Sequence, residues 1–318
     1  EMLGELNASH TGCRYYASGA TLSTAALGVF LDPSYEGDGL KIKEIIKRGP
    51  FAVKKNEVTP GSIIEKIDGT DIKAGEDYNA LLDGKAGKNI RLTIKNTKGK
   101  RFDLTIKAIS QGAQQELLYK RWVDRNRAIV DSVSHGRIAY VHVKAMNSES
   151  FRTVYSELLS EKNRTKDAVI VDERHNGGGW LHDDLCTLLS GKQYQEFVPH
   201  GKVVGKDPFN KWTKPSCVLI CEDDYSNGHG FPWVYKELGI GKLIGAPVAG
   251  TMTAVWWETL MDRSLVFGIP QVGCRDMRGT FGENTTLQPD IEVYNSPEDY
   301  ITGHDTQLIR AVEEMMKK

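Results

Sequence analysis

The sequence lacks most of the features that would assign it a function at a glance. Only five of its 318 residues are cysteine, namely Cys13, Cys186, Cys217, Cys221 and Cys274. An odd, scattered set excludes a disulfide framework and a zinc ribbon. Cys217 and Cys221 fall in "CVLIC", the texture of a buried strand, so packed free thiols are expected rather than a catalytic cysteine. Neither sign of charge is in excess. The 41 basic and 42 acidic residues leave a net charge of −1, which points away from nucleic acid and acidic lipid as partners. No apolar run approaches membrane-spanning length, and no membrane span is expected in these residues. No basic n-region and apolar h-region open the chain. "EMLGELNASH" instead begins inside what reads as a short amphipathic helix, with Met2, Leu3 and Leu6 on one side. The chain is therefore expected to be a fragment of a longer protein. Its compartment, cytoplasm or periplasm and cell envelope, is left open.

Further absences narrow the chemistry. The glycine run Gly177–Gly179 is not followed by Lys-Ser/Thr and does not have dinucleotide-loop spacing, so no phosphate cofactor is expected. No His-Glu-x-x-His occurs. His175, His182, Asp183 and Asp184 are close in sequence, but their spacing does not match one helix face, and no metal is expected. No internal repeat is evident.

What is present is a globular balance, 40% hydrophobic and 26% charged, long enough for two domains. Residues 20–110 read as a small β-rich module. "LGVFLD" and "GLKIKEII" are strands, and "PGSIIEKIDGTDI" is a strand between two turns. "EDYNALLDGKAG" reads as a helix, and "NIRLTIKNTKGKRFDLTIKA" as a hairpin of two alternating strands. Residues 111–133 read as a polar connector. The period then switches. Strands "RIAYVHV", "DAVIVDE", "SCVLICEDD" and "KLIGAPV" alternate with helices that bury Val154 and Leu158, Leu185 and Leu189, and Phe231, Tyr235 and Leu238. A last helix is capped by Asp305. Such alternation predicts an α/β domain with a parallel sheet.

In open α/β sheets ligands bind at the carboxyl ends of the strands. Two ends are unusual here. "VDERHNGGGW" (171–180) offers backbone amides with no side chains in the way. "CEDDYSNGHGF" (221–231) places Ser226 between a strand and a helix. A serine held there stands at the mouth of a crevice, with helix amides facing a developing oxyanion. The alternative is ordinary: Ser226 as an N-cap and Gly177–Gly179 as a flexible turn. "NASHTG" (7–12) sets Ser9 beside His10, either as a helix stop or as a base with an orienting hydroxyl. Trp180 and the pair Trp256–Trp257 fit a substrate pocket or buried packing equally.

Taken in order, these segments resemble the tricorn-like branch of the tail-specific (carboxyl-terminal-processing) serine peptidases. "GELNASHT", "VDERHNGGGW", "YSNGHGFPWVYKELGIGKLIG" and "FGENTTLQPDIEV" are similar to its four motifs, and "ALGVFL" with "PGSIIEKIDGTDI" to its inserted PDZ domain. The resemblance implies a crotonase-like α/β core of βα and ββα units over 111–318. It also implies an N-terminal segment, 1–19, carrying the catalytic His, and a PDZ domain over 20–110. It implies peptide-bond hydrolysis in short or unfolded polypeptides through an acyl-enzyme. Ser226 would be the nucleophile, His10 the general base, Ser9 its orienting hydroxyl and Glu283 the carboxylate behind Ser9. The amides of Asn227, Gly177 and Gly178 would form the oxyanion site, and Leu27, Gly28, Val29 and Phe30 would line the PDZ peptide groove. Asn227 and His229 stand where the branch often has Asp, and His175 where it often has an aromatic or aliphatic residue. The rival readings are a catalytically inactive peptide-binding scaffold and an enzyme of acyl thioesters. Homo-oligomerisation is left open.

Overall fold

A computed structural model describes residues 2–16, 23–54 and 57–317. The boundary expected at 19/20 lies outside the described residues. Packing divides the chain into two units, one of residues 1–18 with 125–318 and the other of residues 19–124.

In the first unit the chain opens with a single 3-10 turn, Gly4–Leu6, instead of the expected helix. Asn7 enters the left-handed region (φ 45°) and stops it, and Met2 and Leu6 are exposed, so no apolar face is buried to sustain a helix. Strand β1, Gly12–Tyr15, follows.

The second unit is a six-stranded antiparallel sheet. Its path runs β2 (Val29–Leu31), β3 (Leu40–Ile45), β4 (Ile63–Ile67), β5 (Asn89–Lys95), β6 (Arg101–Lys107), with the short strand Thr70–Asp71 beside β4. The expected hairpin is present, with Ile90, Leu92 and Ile94 of β5 opposite Ile106, Leu104 and Phe102 of β6. The period-2 pattern buries these residues against Ile42, Ile64 and Ile67. The helix expected in "EDYNALLDGKAG" is only a 3-10 segment, Tyr78–Leu82. Asp77 caps it by accepting from the Asn79 N–H, and Gly84 follows too soon for an α-helix to propagate.

Residues 111–133 are a helix, α1 (Gln111–Val133), and not a connector. Strong helix formers such as Gln, Leu, Lys and Arg outweigh the surface charge that made the segment read as a linker. The division between the two units falls inside it.

The core of the first unit is a five-stranded sheet, parallel throughout. Its order is β7 (Ile138–His142), β8 (Ala168–Asp172), β9 (Ser216–Ile220), β10 (Lys242–Gly245) and a short edge strand at Ile291–Glu292. β7, β8 and β9 are buried along their whole length, as a doubly covered parallel sheet requires. One face packs on α2 (Ser148–Leu158), α3 (His182–Leu189) and α4 (Asn227–Glu237) through Val154, Leu158, Leu185, Phe231 and Tyr235. Leu238, expected inside, is instead exposed at the end of α4. Strand β11 (Leu265–Gly268) lies outside this sheet and pairs antiparallel with β1, fixing the N-terminal segment to the unit. The last helix, α5 (Thr306–Met316), packs on β7–β10, and Asp305 caps it by accepting from the Leu308 N–H, as expected. No helix among the described residues is long and apolar enough to cross a membrane.

Under that helix lies a buried ionic network. Arg174 donates to Asp172 at 2.7 and 2.9 Å and to Asp305 at 2.9 and 3.0 Å, and the Tyr140 hydroxyl donates to Asp172 at 2.8 Å. Burial alone would push Asp172 upward, but the Arg174 charge and hydrogen bonds hold it below the usual carboxylate range. The network fixes the chain just before the glycine turn. Glu173, between its two members, is fully buried, and neither of its carboxylate oxygens has a hydrogen-bond partner.

Candidate active site

The site lies at the carboxyl ends of β8 and β9. Ser226 occupies the N-cap position of α4, but its side chain makes no capping bond. Its backbone sits at φ 58°, ψ −119°, a conformation that costs a non-glycine residue about 1–3 kcal/mol. The surroundings impose it. The Ser226 N–H donates to Thr251 Oγ1 at 2.8 Å, and the Tyr225 N–H donates to the Asn176 carbonyl at 2.9 Å. The Ser226 hydroxyl is directed at His10 Nε2, 2.9 Å away, although 216 residues separate the two in sequence.

His10 is itself held at φ 60°. Its N–H donates to the Tyr225 hydroxyl at 2.7 Å, and the two rings lie 4.8 Å apart. Its Nδ1 is 2.8 Å from Ser9 Oγ and 3.1 Å from Thr253 Oγ1. Ser9 Oγ donates to Glu283 Oε2 at 2.9 Å, and the Ser9 N–H donates to Glu283 Oε1 at 2.5 Å. One proton arrangement satisfies this chain: Nδ1–H donates to Ser9, Ser9 O–H donates to Glu283, and Nε2 accepts from Ser226. Burial lowers the His10 pKa, and the Glu283 charge only partly restores it, so the imidazole is neutral at pH 7.

The glycine turn lies against this centre. A Cβ on Gly178 would stand 2.6 Å from Ser226 Cβ, and one on Gly179 2.1 Å from the Met146 carbonyl oxygen, both at positive φ. Only glycine lets the two strand ends approach so closely. The Gly178 N–H donates to Asn176 Oδ1 at 2.8 Å, so that amide is engaged within the turn, while Gly177 and Asn227 border the open cavity beside Ser226. The Asn227 side chain accepts from the Leu181 and His182 N–H groups at 2.8 and 3.1 Å, tying α3 to the start of α4.

The cavity is about 470 Å³, and Trp180 and Trp257 line it. Trp257 also stacks under Arg14, 4.1 Å from its guanidinium, whereas Trp256 is exposed. Sequence reasoning missed Tyr225, Thr251 and Thr253. The first is adjacent to the serine, but no spacing signal marks the two threonines.

His182, Asp183 and Asp184 form no metal cluster. Among the described residues, His175, Cys221 and Asp223 do bring one potential ligand atom each within 4.8 Å of one another. His175 Nδ1 lies 3.0 Å from Asp223, and the Cys221 thiol donates to Asp223 at 2.8 Å. Burial and Asp224 push that thiol strongly upward, so it stays protonated. Cys217 and Cys221 are packed as expected, but Cys13 is exposed.

In the PDZ unit, Leu27 and Val29 are buried in the core. The Gly28 N–H is engaged by Gln114 Oε1 at 3.0 Å, and Phe30 alone of the four expected groove residues reaches the surface, under the Arg121 guanidinium. β2 pairs only with β3, so its other edge carries no strand among the described residues.

Comparison with known proteins agrees with this architecture. Residues 137–293 match peptidase family S41, and residues 35–111 match the tricorn protease PDZ domain. The tricorn protease of Thermoplasma acidophilum is 28% identical over 81% of this chain and 24% of its own length. The tricorn protease homolog of Saccharolobus solfataricus is 28% identical over 100% of this chain and 30% of its own. This chain thus spans under a third of the length of either relative. The crystal structure of the tricorn protease superposes with a TM-score of 0.84, covering 99% of this chain and 31% of that one at 24% identity, a likeness of fold. The chain thus carries a peptidase family S41 domain, preceded in sequence by a tricorn-type PDZ domain, and along its whole length it is similar to tricorn protease homologues.

Proposed function

We propose that this chain is a serine peptidase that hydrolyses peptide bonds in short or unfolded polypeptides through an acyl-enzyme. The observation that carries the reading is the unbroken hydrogen-bond chain from Ser226 through His10 and Ser9 to Glu283. Ser226 Oγ attacks the scissile carbonyl while His10 Nε2 takes its proton. His10 then returns that proton to the leaving amine, and a water activated by the same nitrogen hydrolyses the ester. Ser9 and Glu283 hold the tautomer that keeps Nε2 free to accept, and they stabilise the imidazolium that forms. The amides of Gly177 and Asn227 receive the oxyanion. The β2 edge of the PDZ domain takes an extended polypeptide as an added strand.

The test is covalent labelling with a fluorophosphonate, alongside hydrolysis of an unstructured peptide library. Labelling at Ser226 and turnover are expected, and both vanish in Ser226→Ala. An unlabelled, inert parent protein would instead make the chain a peptide-binding scaffold.

A further inference from the structure

Helix α4 carries a side chain that the proposed chemistry does not use. His229 is 1% exposed, and neither ring nitrogen has a hydrogen-bond partner. Burial lowers its pKa, and the Glu283 charge only partly opposes that, so the ring is neutral. It borders a second cavity of about 440 Å³ whose apolar walls include Trp180, Trp233, Phe281 and Leu287. Of the charged side chains at this cavity, Lys236, Glu237 and Asp276 are in ion pairs, and Arg275 lies 5.9 Å over the Phe281 ring. Lys236 meets Asp290 at 3.0 Å, and Arg278 bridges Glu237 and Asp276 at 2.9 and 3.0 Å.

This cavity adjoins the one at Ser226, sharing Trp180, Met252 and Cys274 with it. Met252 is the partition. A Cβ on Gly230 would meet its Sδ and Cε at 3.0 Å, and one on Gly282 its Cβ at 2.8 Å, so two glycines make room for this side chain between the cavities. A thioether on three rotatable bonds can yield to an entering group where a branched side chain could not.

Resting on the peptidase reading above, we propose that the second cavity is a substrate subsite for one side chain next to the scissile bond, and that its occupant is bulky and apolar, of the Phe, Leu or Met class. The walls are largely apolar and offer no free carboxylate, so a lysine would lose hydration without compensation, and an aspartate would have to draw Arg275 off the Phe281 ring. His229, neutral and buried, forms part of the wall where a carboxylate would favour a cation. An empty cavity, as with glycine at that position, forfeits the burial gain.

Internally quenched peptides varied one position at a time test this. At one position, kcat/KM for Phe, Leu or Met should exceed that for Gly, Asp or Lys at least about tenfold. Val234→Trp, which fills the cavity from α4, should reduce that preference to about threefold or less, while glycine peptides are still cleaved and fluorophosphonate labels Ser226 at the parent rate. Should that variant fail to fold, Trp233→Ala, which enlarges the cavity, should move the optimum to Trp. An active enzyme without apolar preference at any position overturns the proposal, as does a preference that the folded variants leave unchanged. A parent that neither cleaves nor labels overturns the peptidase reading instead. The subsite is then read from binding of the same peptides to Ser226→Ala, where a Phe peptide binding no tighter than its Gly counterpart refutes it.

Discussion

Arg174→Met should be among the most damaging single changes in this protein, although Arg174 touches neither Ser226 nor His10. Its guanidinium is 3% exposed on its side chain and bonds two carboxylates of 0% and 6% side-chain exposure. Methionine fills most of the volume but leaves both carboxylates buried without their counterion. Removing one partner of a buried pair costs about 3–5 kcal/mol, a large part of a net stability of roughly 5–15 kcal/mol. With a urea dependence of about 2 kcal/mol/M, the unfolding midpoint should fall by about 1.5–2.5 M. Tryptophan fluorescence reports it well, because Trp212 is buried in the same hydrophobic core as the sheet. The pH dependence supplies the sharper check. In the parent, Asp172 has a lowered pKa, so its contribution is present above the unfolded value and lost as pH falls through the folded one. Without Arg174 that contribution becomes a penalty, greatest at neutral pH and relieved as Asp172 protonates. The variant should therefore approach the parent as pH falls toward 4. Adding Asp172→Asn and Asp305→Asn should recover much of the loss, since asparagine still caps α5. A midpoint shift under about 0.5 M, or a deficit that widens on acidification, would refute the reasoning.

Glu173 predicts the opposite pH trend. Burial first, then Asp224 and Asp172, raise its pKa well above the usual range, so wild-type stability falls as pH rises from the unfolded value through the folded one. Glu173→Gln should thus be more stable than the parent at pH 8, with the gap closing toward pH 5, as measured by urea titration at each pH. Because the His10 pKa is lowered, the acid limb of kcat/KM should lie below 6.5, and Glu283→Gln, which removes the raising charge, should move it lower still while slowing turnover. Gly178→Ala should leave the sheet folded by circular dichroism but depress fluorophosphonate labelling at least about tenfold, because its methyl would displace Ser226 Cβ. Tyr225→Phe removes the acceptor of the His10 N–H and should lower kcat more than it raises KM.

The parallel core was legible because β7, β8 and β9 are continuous apolar runs and their intervening helices carry one apolar stripe each. Ser226 and the Ser9–His10 pair stood out in the local sequence, each with an ordinary capping or turn alternative, whereas Glu283 was singled out only through motif resemblance. No periodicity links residue 10 to residue 226, and their meeting is fixed by β1 pairing with β11. Charge density disguised α1, whose helix-forming residues are also linker residues. The opening helix failed for the converse reason: an amphipathic pattern means little unless a surface is there to bury it. Thr251 and Thr253 were invisible because a hydroxyl that supports a backbone or a ring needs no sequence neighbour. The engaged Gly178 amide likewise depends on how one asparagine side chain folds back over its own turn.

The separation of His10 from Ser226 along the chain carries a consequence for biosynthesis. When residue 200 has been synthesised, the His10 imidazole exists but the Ser226 hydroxyl does not, and Glu283 follows Ser226 by more than fifty positions. The hydrogen-bond chain from Ser226 to Glu283 can therefore close only after residue 283 has been synthesised and β1 has paired with β11.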